Sequence, residues 1–98
     1  MPLSNNQLRH LRGLAHALKP IVLVGAKGVT DAVVAELDGA LAHHELVKLR
    51  IDASDREARD AMVADLTGRV RAQRVQRVGH TLTLYRRDAE NPRIELPR

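Results

Sequence analysis

The segment of this 98-residue chain with the most pronounced chemical character is Gly25-Ala26-Lys27-Gly28. It follows a short apolar run, Ile21-Val22-Leu23-Val24, and precedes Thr30 and Asp31, which read as the opening of a helix. A loop between a strand and a helix start gathers unpaired amides and the positive end of the helix dipole. Glycine at both ends lets the backbone come close to a sugar-phosphate, and Lys27 adds a point charge between them. The string is neither a Walker loop, which needs a longer glycine-rich run ending in Lys-Ser or Lys-Thr, nor a GxGxxG dinucleotide fingerprint. Two glycines in such a turn can serve its geometry alone, but between this strand and this helix, with Lys27 inside, the arrangement is similar to GXXG loops that clamp a nucleic-acid backbone.

Other residue types offer less. His43 and His44 are adjacent and face different sides of their helix, His10 and His16 are six apart, and no HExxH or CxxC spacing supports a metal site. His44 reads instead as a helix-end residue near the last carbonyls. Cysteine is absent, which removes disulfides, thiolate ligands and a cysteine nucleophile. The two serines, Ser4 and Ser54, are accounted for as helix caps, and Asp55 with Glu57 suits a helix first turn better than an acid-base pair. No enzyme activity, cofactor, metal or small-molecule substrate is expected.

Formal net charge is +4, unevenly distributed. Residues 1–30 hold Arg9, Arg12, Lys19 and Lys27 without a carboxylate, whereas in 31–65 the acids outnumber the bases. Residues 66–87 then carry Arg69, Arg71, Arg74, Arg77, Arg86 and Arg87 and no acid. If the two basic stretches meet, they form a polyanion-binding face; if they lie apart, they are ordinary solvated surface. Charge alone leaves both readings open. Phe and Trp are absent and Tyr85 is the single aromatic, so the core must be aliphatic and no platform for stacked bases exists.

These residues need elements to position them. Ser4 to Gln7 reads as a capping box with Leu3 and Leu8 as its hydrophobic staple. Leu8, Leu11, Leu14, Ala15 and Leu18 then form a core stripe of a helix reaching His16 or Ala17, bordered by Arg9, Arg12 and His16. Pro20 stops it, and 21–24 suits a central strand covered on at least one face. Val33, Val34, Leu37, Ala40 and Leu41 mark a second helix, after which Val47, Leu49 and Ile51 alternate with Lys48 and Arg50 as a strand with one basic face. A capping box from Ser54 to Glu57 opens a third helix with Ala58, Met62, Val63, Leu66 and Val70 inward. Gly68 within it costs about 1 kcal/mol relative to alanine and invites early fraying. Val75–Val78 and Thr81–Arg86 around Gly79-His80 read as a hairpin, and the break in strict alternation at Val75 and Val78 allows a bulge there.

The order αβαβαββ gives an α/β (α+β) two-layer fold with a mixed four-stranded sheet and helices mainly on one face. At this length residues 1–98 make one domain, with a core over about 3–87 and an extended tail over 88–98. Neither a signal peptide nor an apolar run near the roughly 18 residues of a membrane span is visible, so a soluble, cytoplasmic protein with no membrane partner is expected.

Several stretches together resemble a known family. They are Leu14-Ala15-His16, Leu18-Lys19-Pro20-Ile21-Val22, Gly25-x-x-Gly28-Val29-Thr30, His43-His44-Glu45-Leu46-Val47-Lys48, Asp55-Arg56-Glu57, Val75-Gln76-x-Val78-Gly79 and Leu84-Tyr85-Arg86. They look like the CRM domain, as in the bacterial YhbY proteins. The resemblance implies a fold similar to the C-terminal domain of translation initiation factor three. It also implies RNA binding, association with ribosomal RNA in precursors of the large ribosomal subunit, and no catalysis. It places RNA contacts at Gly25, Ala26, Lys27 and Gly28; charge and position add Arg9, Arg12, Lys19 and Arg86. Arg71 stands where the family often has a C-capping glycine. The competing reading is a protein-interaction module that docks on ribosomal proteins through the sheet face of Lys48 and Arg50.

Overall fold

A computed structural model describes residues 2–98. The capping box forms as read: Gln7 N donates to Ser4 Oγ at 3.2 Å and Ser4 N donates to Gln7 Oε1 at 3.0 Å. Helix α1 spans Asn5–Ala15. Its buried stripe is narrower than expected, because Leu11 and Ala15 are buried while Leu14 and Leu18 remain 41% and 38% exposed. The helix covers only one corner of the sheet, packing on Leu46, Val75 and Tyr85, so two inward positions suffice.

The sheet contains β1 (Val22–Val24), β2 (Leu46–Ile51), β3 (Gln73–Val78) and β4 (Thr81–Tyr85) in the order β1-β2-β4-β3. β1 runs parallel to β2, and the other two pairings are antiparallel. The strand expected at the centre therefore lies at an edge. Its apolar run comes from burial on one face only: Val22 and Val24 are buried, whereas Ile21 and Leu23 stay more than half exposed on the other.

Helices α2 (Asp31–His44) and α3 (Arg56–Arg69) cover one face, where Leu37, Leu41, Val63, Leu66 and Val70 meet Val47, Leu49, Ile51, Leu82 and Leu84. The α3 cap is Asp55 and not Ser54, since Asp55 Oδ1 accepts from Glu57 N at 3.2 Å. Both residue types are competent caps; with Asp55 at the cap Glu57 falls at N2, and the capping box expected from Ser54 to Glu57 does not form. The helix passes Gly68 without fraying and ends at Arg69; Arg71 then takes the left-handed conformation, φ +54°, that glycine would adopt more cheaply. Gly79 supplies the positive φ of the hairpin, +58°, and the bulge falls at Val75.

The tail forms no helix or strand, and it is docked against the domain as a strap. Ile94 and Leu96 pack with Leu11, Ala15 and Tyr85, extending the core past residue 87. Its anchor is Glu45, fully buried at the end of α2 with φ +64°. The Glu45 carboxylate accepts from the backbone amides of Asp88 (2.7 Å), Arg93 (2.6 Å) and Ile94 (2.8 Å). Gln7 Nε2 donates to Pro97 O at 3.1 Å and closes the strap over α1.

Candidate nucleic-acid interface

Parallel pairing of Val24 with Ile51 places the Gly25–Gly28 loop at the Ile51 end of the sheet. Asp52 N donates to Val24 O at 2.8 Å and fixes the strand end from which the loop departs. Gly28 N then donates to Gly25 O at 3.0 Å, closing a turn with Ala26 and Lys27 exposed at its tip. Gly28 has φ +74°, a conformation that requires glycine for backbone reasons; a Cβ there would only reach ordinary contact with Met62 Cε at 3.5 Å. Nothing lies within 4 Å of a Cβ at Gly25, so that end of the loop is open to close approach.

The helix end contributes less than expected. Thr30 Oγ1 accepts from Val33 N at 3.1 Å, and Asp31 sits exposed in the first turn of α2. One free amide is thus satisfied and the dipole is countered by a carboxylate. The attraction for an anion rests on the loop backbone and on Lys27, which enters no ion pair among the described residues.

The other expected residues do not gather at this loop. Arg86 follows Tyr85, whose partner is Leu46, and so lies at the opposite end of the sheet. Its guanidinium is engaged inside the fold: Nη1 donates to Asp38 Oδ1 at 2.6 Å and Val70 O at 2.9 Å, and Nη2 to Asp38 O at 3.0 Å. It braces α2 against the end of α3. Arg12 Nε donates to Val75 O at 3.3 Å, while Arg9 and Lys19 are exposed on α1 and just before β1.

The two basic segments do meet, along β3. One groove there is lined by Leu8 and Arg12 of the first segment and Arg74, Val75, Gln76 and Arg77 of the second. On the other side of the strand, Arg56, Arg59, Arg74, Arg77 and Gly79 line a concavity. Arg59 Nη1 donates to Ala53 O at 2.7 Å, and Arg77 pairs with Asp60, holding that carboxyl below its usual range chiefly through the hydrogen bond. Arg56, Arg59, Arg74 and Arg77 were not among the expected contacts. The acid-free stretch 66–87 was the signal, but which of its arginines share a face depends on the bulge.

The uncovered part of the opposite sheet face presents Leu23, Lys48, Arg50, Gln76 and Val78, with Arg50 4.0 Å from Asp52. The His43 and His44 rings contact each other edge to face at 4.6 Å, and His80 Nδ1 lies 2.9 Å from Ile51 O. Among the described residues no group of three or more His, Asp and Glu side chains is placed to hold a metal ion, and no helix is long and apolar enough to cross a membrane.

Comparison with known proteins adds identity to this geometry. A Haemophilus influenzae protein named as an RNA-binding protein is 43% identical over 96 residues, covering 98% of this chain and 96% of its own length. The Bacillus subtilis protein named Probable RNA-binding protein YqeI is 38% identical over 95 residues, covering 97% and 99%. A Staphylococcus aureus protein with a known solution structure superimposes with a TM-score of 0.83 at 31% identity, over 98% of this chain and 100% of that one. The CRS1 / YhbY (CRM) domain model matches residues 3–86. With a match over that span, and relatives of this likeness over nearly the whole chain, the protein belongs to the CRM domain family.

Proposed function

We propose that this protein is a cytoplasmic RNA-binding factor that engages ribosomal RNA in precursors of the large ribosomal subunit and assists their assembly without catalysing a reaction. The observation that carries the reading is the Gly25–Gly28 turn, with an open backbone at Gly25 and an unpaired, exposed Lys27 at its tip. Such a loop supplies affinity for the sugar-phosphate and little base specificity, which suits recognition by backbone shape. The RNA-binding names of the relatives support the partner class.

The test is a titration against a large-subunit ribosomal RNA precursor at several salt concentrations, with Lys27→Ala and Gly28→Asp alongside. Contact with four phosphates would give a log-log salt slope of about 3 by the single-strand coefficient. Because φ at Gly28 strains any replacement, Gly28→Asn serves as the control that shares the strain but not the charge. Binding unaffected by salt and by Lys27→Ala and Gly28→Asp would defeat the reading.

A second reading is favoured by the exposure of Ile21, Leu23 and Val78, each more than half accessible beside Lys48 and Arg50. Docking on ribosomal proteins through that face predicts that ribosome association survives ribonuclease treatment; its loss would leave RNA as the partner.

A further inference from the structure

Residues three apart in a regular strand point to opposite faces of the sheet. Arg74 and Arg77 do not. The extra residue at Val75 shifts the register, so that Arg74 opposes Leu84 and Arg77 opposes Leu82. Those leucines both belong to the core beneath α2 and α3, which puts the two arginines on the α3 side of an edge strand. There they join Arg56 and Arg59 around one concavity. Bulges are a recurrent means of re-aiming side chains at functional edges.

Four guanidinium groups share this concavity, and their ion pairs are few. Asp60 takes Arg77, and Arg59 is held by the carbonyls of Ala53 and Ser54. The Arg56 and Arg74 side chains are exposed and enter no ion pair or hydrogen bond among the described residues. Two of the four are therefore already ordered by the fold, and two are free to close on an anion. Guanidinium forks match phosphate oxygens two at a time, and Arg12 continues the positive track on the other side of the strand.

Helix α3 separates this edge from the Gly25–Gly28 loop. Its Met62 lies beside Gly28, while Asp60 reaches to Arg77. Resting on the RNA-binding reading above, we infer that the β3 edge is a second RNA-backbone site. Arg74 and Arg77, aligned by the Val75 bulge, act there with Arg56 and Arg59 on an RNA segment distinct from the one at the loop.

The experiment compares wild type, the double variant Arg56→Gln/Arg74→Gln, Lys27→Ala and the combined triple variant. The probe is a fluorescein-labelled, single-stranded RNA of mixed sequence, long enough to span the molecule, titrated at several salt concentrations. Neither side chain makes an ion pair or hydrogen bond among the described residues, and Arg56 adds only a through-space attraction to the exposed Asp60, so circular dichroism and melting should stay close to wild type and establish that the double variant folds. Loss of two phosphate contacts should lower the salt slope by about 1.4. The losses from the double variant and from Lys27→Ala should multiply in the triple variant. Wild-type affinity and slope in the double variant, with Lys27→Ala impaired, would overturn the second site and leave the loop reading intact. No further loss in the triple variant would mean one shared contact and overturn the claim of distinct segments. Salt-independent, weak binding by wild type would remove the RNA reading and this inference together.

Discussion

At the Ile51 end of the sheet Lys27 stands exposed on a glycine turn without an ion pair, whereas at the Leu46 end Arg86 is bound to Asp38 and Val70 O inside the fold. The two cations have the same sign and lie on the same sheet, but their surroundings give them opposite uses. At the first end the backbone is tied down by its own hydrogen bonds, but the Lys27 ammonium enters no ion pair among the described residues and its charge stays available. The other draws Glu45, Arg86, α1 and the strap into a mutually supporting set of bonds. Positive charge in a sequence counts toward nucleic-acid binding only after the internal partners have been subtracted.

The sharpest way to break this contrast is at Glu45. Glu45→Ala removes the shared acceptor of three part-buried amides and should destabilise the protein by about 3 kcal/mol, read by chemical denaturation. RNA binding by the folded fraction should be unchanged, because the loop lies at the other end. The same carboxylate gives a pH signature. Burial opposes its ionisation, but the amides of Asp88, Arg93 and Ile94 and the Arg93 charge outweigh that and hold its pKa below the usual range. A depressed folded-state pKa means that the stabilisation is complete above the ordinary glutamate value of about 4.3 and is lost as pH falls through the lower folded value. Acid melts should lose this component in Glu45→Gln.

A smaller effect is expected from Arg86→Ala. Its guanidinium is one quarter exposed, and after discounting for solvent the loss should be about 1 to 2 kcal/mol, with an unchanged salt slope for RNA. A slope lowered by about 0.7 would instead make Arg86 an RNA contact and dissolve the comparison. Smallest in stability is Lys27→Ala, within about 0.5 kcal/mol of wild type, and it should be the one that moves the salt slope.

What could be read in advance was local. The Ser4–Gln7 box, the apolar stripes of α2 and α3, the alternation in β2 and the Gly79 turn each depend on residues a few positions apart, and each formed. The edge position of β1 was hidden because an apolar run records burial and not the number of neighbouring strands. Asp38 lies 48 residues from Arg86, so no spacing pattern could pair them. The strap was obscured in the same way: Ile94 and Leu96 are isolated apolar residues among prolines, and Glu45 offered no sign that it would collect amides from residues 88–94. At the candidate site the loop was legible as a motif. The arginines of β3 were visible as charge, but their shared face required the single inserted residue at Val75.

Tyr85 is the one aromatic side chain, and it is buried among Leu11, Ala15, Leu46 and the strap residues Ile94 and Leu96. The chain thus carries a single intrinsic fluorophore, placed where the strap docks and far from Lys27. Its ultraviolet emission reports on seating of the strap without any label, and a ligand at the loop should leave that signal dark to its arrival.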